Sequence, residues 1–252
     1  MSRYQALIIC TSPRSGSTFL CRLLQATGKA GLPDSHFHEP SVAAWLEDHG
    51  LSATLIPTEY AQLVAAFDAA RASGTGDTGL FGLRLQRHSV DFFLQKLAEL
   101  HPGLPTDTAR LETAFGKILY IHLTRPDKID QAVSRLKAEQ SGLWHRAPDG
   151  PEIERLSPPP EQVYDAGAIA RHVAEMSADD TAWAAWFARE GVVPHRISYD
   201  DLSRAPLVVL AGVLEALGLE RSLADGIALP TAKLADAVSR TWAARFRAET
   251  GA

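Results

Sequence analysis

Eight residues near the amino terminus are dense in groups that hold anions: Thr11-Ser12-Pro13-Arg14-Ser15-Gly16-Ser17-Thr18. They follow a nearly continuous apolar run, Ala6-Leu7-Ile8-Ile9-Cys10, which reads as a strand buried on both faces. They lead into Thr18 to Ala26, where Phe19, Leu20, Leu23 and Leu24 recur at helical spacing, and Gly28 and Gly31 mark the stop. A loop between such a strand and helix lies at the carboxyl edge of a parallel sheet, where open α/β folds bind ligands. Its amides face the positive end of the helix dipole, so a phosphate or sulfate fits there. Gly16 lets the backbone approach the anion, Ser15, Ser17 and Thr18 add hydroxyl donors, and Arg14 adds a permanent two-pronged charge. The common nucleotide version of this device is Gly-x-x-x-x-Gly-Lys-[Ser/Thr]. Thr11 stands where its first glycine would be and Ser17 where its lysine would be, so ATP or GTP turnover loses support. A plain helix cap needs fewer donors than this string supplies.

A second reactive cluster is Pro33-Asp34-Ser35-His36-Phe37-His38-Glu39-Pro40. An imidazole near its free pKa is a natural general base at neutral pH, and burial can tune a glutamate upward. The order of candidates is His36, then Glu39, then His38. His-x-His on a strand would put both rings on one face. No third ligand group has a distinctive spacing, so no metal is expected. The tryptophans Trp183 and Trp186 with Phe187 stand at helical spacing and read as core.

The elements that must position these groups alternate between strand and helix. Residues 59–73 and 88–100 read as amphipathic helices, with a strand from Gly79 to Leu85 between them. Ile118-Leu119-Tyr120-Ile121-His122-Leu123 is a second buried strand. Pro126 sits at an expected first helical position, and the helix should run to about Gln140. Residues 142–160, with Pro151 and Pro158 to Pro160, read as a surface loop. Helices follow at 163–176 and 179–190, then a strand from Val192 to Ser198, a helix near 204–217, and a helical tail from Ala232 to Glu249. Strands separated by helices imply right-handed crossovers and a mainly parallel sheet. The expected fold is α/β: one three-layer, P-loop-like domain spanning 1–252, its central sheet flanked by helices.

The chain has 252 residues, 46% of them apolar and 22% charged, an ordinary globular composition able to bury a core without staples. Cys10 and Cys21 cannot make a disulfide framework. No run of residues approaches a bilayer span in length, and Met1 to Tyr4 lead straight into the first strand. A cytoplasmic protein is expected. The formal net charge of −5 argues against a nucleic-acid partner. It leaves room for a small anion, which a few arginines in one cleft can hold.

The loop at 11–18 resembles the 5′-phosphosulfate loop of sulfotransferases that use 3′-phosphoadenosine 5′-phosphosulfate (PAPS). His122-Leu123-Thr124-Arg125-Pro126-Asp127, with Ser134 nine positions after Arg125, resembles that superfamily's 3′-phosphate motif. Ile197-Ser198-Tyr199-Asp200-Asp201-Leu202 is similar to its Tyr-[Glu/Asp]-Asp-Leu segment. The bacterial trehalose 2-sulfotransferase family resembles the chain at further points. These are Ala26 to Gly31, Gln131-Ala132-Val133-Ser134, Ala166 to Ala170, Ala184 to Phe187, and the tail with Trp242, Arg245, Phe246 and Arg247.

The resemblance implies PAPS as donor, PAP as product, and in-line transfer without a metal to a carbohydrate or glycolipid hydroxyl. Arg14, Ser15, Gly16, Ser17 and Thr18 would hold the phosphosulfate, and Arg125 and Ser134 the 3′-phosphate. Arg84 matches a basic residue of the family and implies a contact with the transferred group or the acceptor. The family's glutamate base after its first Gly-x-Pro is replaced here by Ser35, which cannot serve as a strong base. The neighbours Asp34, His36, His38 and Glu39 are what the sequence offers in its place. A homodimer is implied by resemblance alone. Two other readings stay open: a P-loop-type small-molecule kinase, against which the missing loop lysine counts, and a nucleotide-binding module that has lost its base.

Overall fold

The computed structural model describes residues 2–146, 152–155, 162–229 and 237–251. Its central sheet is parallel throughout, in the order β2-β1-β3-β6: β1 (Ala6–Thr11), β2 (Phe81–Gln86), β3 (Ile118–Thr124) and β6 (His195–Ser198). Two short strands outside it, β4 (Leu143–Arg146) and β5 (Glu152–Arg155), pair antiparallel. Ten α-helices are described: α1 (Ser17–Ala26), α2 (Val42–Asp48), α3 (Glu59–Thr75), α4 (Arg87–Leu100), α5 (Asp107–Phe115), α6 (Lys128–Ser141), α7 (Ala166–Arg189), α8 (Tyr199–Arg204), α9 (Pro206–Leu217) and α10 (Ala237–Thr250).

All six residues of β1 are buried, as a strand between two neighbours and two helical layers requires. Alternate side chains serve opposite faces. Ala6, Ile8 and Cys10 join Trp45, Phe67, Phe93 and Trp183 on one side; Leu7 and Ile9 join Leu20, Leu24, Val213 and Leu214 on the other. Each fully buried isoleucine or leucine contributes about 1.5–3 kcal/mol against exposure. A third cluster lies off the sheet, where Val133 and Leu136 of α6 meet Ile169 of α7 and Trp242 and Phe246 of α10. Cys10 and Cys21 are free, buried thiols, and burial pushes Cys21 up to about 12.

The α/β order of the sequence reading stands, with local corrections. Residues 163–176 and 179–190 do not form two helices but one, α7: the hydroxyls of Ser177 and Thr181 bond back to the carbonyls of Val173 and Ser177, so the polar run is helix surface rather than a break. Pro126 lies ahead of α6, whose N-cap is Asp127; its carboxylate accepts the N–H of Asp130 at 2.9 Å. Within 142–160, the described parts form the hairpin of β4 and β5 instead of loop; the remainder falls outside the described residues. The strand expected at Val192 starts only at His195, because the Val192 amide closes the end of α7 on Phe187 O. The tail helix is described from Ala237; 232–236 lie outside the described residues. Helices α2 and α5 were not anticipated, and Ser41 and Thr106 cap them.

Candidate active site

The sheet delivers the loop of residues 12–16 to the carboxyl end of β1. Gly16 is the N-cap of α1 with φ 89°, and Arg14 also has positive φ, 61°. Gly16 is required twice over. Its backbone is left-handed, and a Cβ there would stand 2.8 Å from Cδ2 of Tyr199. Ser41, Thr58, Thr106, Asp127, Asp165 and Ser198 place side-chain acceptors on the first turns of α2, α3, α5, α6, α7 and α8. Helix α1 has no such cap and no acidic residue in its first turn. Among the described residues, the amides of Ser15, Gly16 and Ser17 make no hydrogen bond. An uncapped N-terminus with spare donors is a site for an anion.

Beneath it the loop is pinned by buried side chains. Thr11 Oγ1 lies 2.5 Å from Ser15 Oγ and donates to Leu123 O at 2.8 Å. The fully buried Gln131 donates to Ser12 Oγ at 3.0 Å and Pro13 O at 2.6 Å. The indole N–H of Trp183 donates to Thr11 O at 3.0 Å. Asp180 accepts from Ser12 at 3.3 Å and pairs with Lys128 at 2.5 Å. Lys128 and Asp180 carried no role in the sequence reading, Trp183 was read there as core, and Gln131 entered only through the resemblance at 131–134.

The two segments expected to hold anions meet. Arg14 Nε donates to Ser134 Oγ at 3.1 Å, joining the loop after β1 to the helix after β3. Arg125, at the end of β3, is 8% exposed and stacks over the Tyr199 ring at 4.3 Å. The same ring thus touches the Arg125 guanidinium and borders the space left by the missing Gly16 side chain. Asp130 Oδ2 reaches Arg125 at 3.7 Å, and Arg247 of α10 pairs with Asp127 at 2.5 Å and Asp130 at 3.2 Å.

Arg84 ties the loop to the second reactive cluster. Its guanidinium donates to Thr18 Oγ1 at 2.5 Å, Ser35 Oγ at 2.8 Å and Asp34 Oδ1 at 3.2 Å. Residues 33–35 can reach it because Gly82 has no side chain: a Cβ there would fall 2.5 Å from Pro33 N. The Asp34 backbone instead bridges to Leu83, and its carbonyl accepts the Arg84 amide at 2.9 Å.

The other candidate bases point elsewhere. The His36 ring packs with His49 at 5.6 Å and with Phe81, the first residue of β2, at 6.3 Å, toward the strand end remote from the loop. Burial lowers its pKa, and Nε2 has no hydrogen-bond partner. His38 and Glu39 are exposed, 4.0 Å apart, and His38 meets His88 of α4 edge to face at 4.8 Å. Among the described residues no group of three His, Cys, Asp or Glu converges as a metal site, and no helix is long and apolar enough to cross a membrane.

Known proteins share this layout in sequence. The Stf0 sulphotransferase family model matches residues 6–249. The trehalose 2-sulfotransferase of Mycobacterium tuberculosis is 32% identical over 260 residues, covering 96% of this chain and 94% of its own. That of Mycolicibacterium smegmatis is 31% identical over 259 residues, with the same coverage of 96% and 94%. Among solved structures, the sulfotransferase domain from the Synechococcus PCC 7002 olefin synthase covers 96% of this chain and 93% of its own, at 18% identity and a TM-score of 0.40.

Proposed function

The chain belongs to the Stf0 sulphotransferase family, and from that premise we propose that it moves a sulfuryl group from PAPS to a hydroxyl of a carbohydrate or glycolipid acceptor. The Arg14–Ser134 contact carries the reading. It joins a phosphosulfate-type loop to a residue spaced for a 3′-phosphate, which ATP lacks. In this reading Arg14 and the amides of Ser15, Gly16 and Ser17, with the hydroxyls of Ser17 and Thr18, hold the 5′-phosphosulfate. Arg125 and Ser134 hold the 3′-phosphate. A kinase-like use of the loop has no lysine at position 17 to support it.

Sulfuryl transfer needs in-line geometry, stabilisation of charge on the leaving oxygen, and a proton acceptor. Arg14 and the loop amides supply the second of these at fixed positions, where donors need no reorganisation during reaction. Arg84 reaches the same loop through Thr18 from the other side, so the transferred group would lie between the loop and residues 34–35. The carbohydrate class rests on the mycobacterial relatives, whose names specify trehalose. The test is transfer of labelled sulfate from PAPS to a panel of trehalose, other free sugars and glycolipids. Labelled product from a sugar or glycolipid, with PAP released, is the expected result. Binding of PAPS with no product from any of them would leave the non-catalytic module in its place.

A further inference from the structure

Resting on that reading, we propose that Asp34 is the catalytic base that takes the acceptor's proton. Its carboxylate is one guanidinium away from the anion loop: Arg84 holds Asp34 Oδ1 at 3.2 Å and Thr18 Oγ1 at 2.5 Å. The Ser35 amide donates to the same Oδ1 at 2.8 Å. Among the described residues, Oδ2 has no partner, and the Asp34 side chain is 55% exposed while that of Arg84 is 14% exposed. One oxygen is thus fixed and the other open to a bound hydroxyl. With three contacts on its guanidinium, Arg84 sets the carboxylate's position relative to the loop and places a positive charge beside both.

Other carboxylates near the sheet edge lack this pairing. Asp180 is taken by Lys128 and Ser12, and Asp130 by Arg247 and Arg125. Glu39 meets His38. Asp179 has its carboxyl pushed up by burial, but among the described residues no hydrogen bond joins it to the loop or to Arg84. Asp34 sits one residue before Ser35, whose own hydroxyl is turned onto Arg84 Nε.

In the step, the acceptor O–H gives its proton to Asp34 Oδ2 as the acceptor oxygen bonds to sulfur. The bridging S–O bond breaks, and its electron pair stays on the 5′-phosphate oxygen of PAP. Asp34 then returns the proton to water. The test measures kcat, acceptor KM and PAP affinity, using PAPS and a sugar found active in the panel above. Asp34→Asn is expected to lower kcat about 100-fold or more, the usual span for losing a general base, with PAP affinity within about twofold by the same reasoning. Asp34→Ser should do the same, which guards against a folding defect peculiar to one variant. Adding Ser35→Glu to Asp34→Asn should recover about tenfold or more, since it restores a carboxylate beside Arg84. Asp179→Asn should keep kcat within about threefold, being outside the acid–base step. A kcat for Asp34→Asn close to wild type, with PAP affinity retained, overturns the assignment alone. So does a fall in PAP affinity that accounts for the whole loss. A wild-type protein that binds no PAP and yields no product overturns the sulfotransferase reading, and this assignment with it.

Discussion

The two halves of the site are built in opposite ways. The donor half, from Thr11 to Thr18 with Arg125, Gln131 and Ser134, is held by buried hydrogen bonds from β3, α6 and α7. Thr11, Ser12, Ser15 and Gln131 are each fully buried. The half proposed for the acceptor, from Asp34 to Glu39, lies along the edge of β2 with the side chains of Asp34, His38 and Glu39 half or more open to solvent. Preorganised donors are worth most where charge develops and water is displaced, which is the task proposed for the donor half. Arg84 touches both, through Thr18 on one side and Asp34 and Ser35 on the other.

If the donor half is as constrained as it looks, small changes there should cost far more than larger ones on the rim. Gly16→Val forces a β-branched residue to φ 89° and into the Tyr199 ring. PAP affinity should fall by about 100-fold or more, given strain of a few kcal/mol at one backbone position. Calorimetric titration of PAP reads it directly.

A buried imidazole in β3, next to Phe187 and Arg196, should also make the fold acid-sensitive. His122 is 4% exposed, its Nε2 has no partner, and burial pushes the imidazole down to about 4 from 6.5. Below about pH 6.5 the unfolded chain binds a proton that the folded one refuses, so stability is full above that pH and lost as pH falls toward 4. The loss is about 2–3 kcal/mol from this residue. Urea unfolding at about pH 7 and about pH 4.5 should show it, and His122→Phe should flatten the slope.

Smaller effects follow at the shared wall and the rim. Tyr199→Leu removes the ring beneath Arg125, at 4.3 Å, and should weaken PAP by about 3- to 30-fold, the worth of a cation–π contact. His38→Ala should leave PAP affinity unchanged and stability within about 0.5 kcal/mol, as expected of an exposed side chain. A large effect at His38, or none at Gly16, would dissolve the contrast between the halves.

Much of the donor half was legible in the sequence because local chemistry dictates it. Glycine, hydroxyls and arginine between an apolar strand and a helix specify an anion loop, and Arg125 follows a strand whose burial is plain from Ile118 to Leu123. The supports were not legible. Gln131 and Trp183 reach the loop, and Lys128 reaches Gln131 behind it, only once the sheet order places α6 and α7 over the end of β1. The acceptor half was read less well for a related reason. His36 looked like the leading base by residue type, yet its ring turns back onto Phe81 and His49. The absence of a side chain at Gly82, nearly fifty residues later, lets Pro33 lie on β2 and brings Asp34 to Arg84. Long-range steric facts of that kind leave no periodic trace. In the same way, α7 read as two helices because Ser177 to Thr181 is polar, whereas those hydroxyls close on the helix's own carbonyls.

The most direct test of the donor half is metal-free calorimetry of PAP and ATP on the wild type and on Arg125→Ala. The account predicts PAP binding at least about 100-fold tighter than ATP, and a loss of about that size in the variant, because a buried charge loses its partner. PAP binding no tighter than ATP, or indifferent to Arg125, would contradict it.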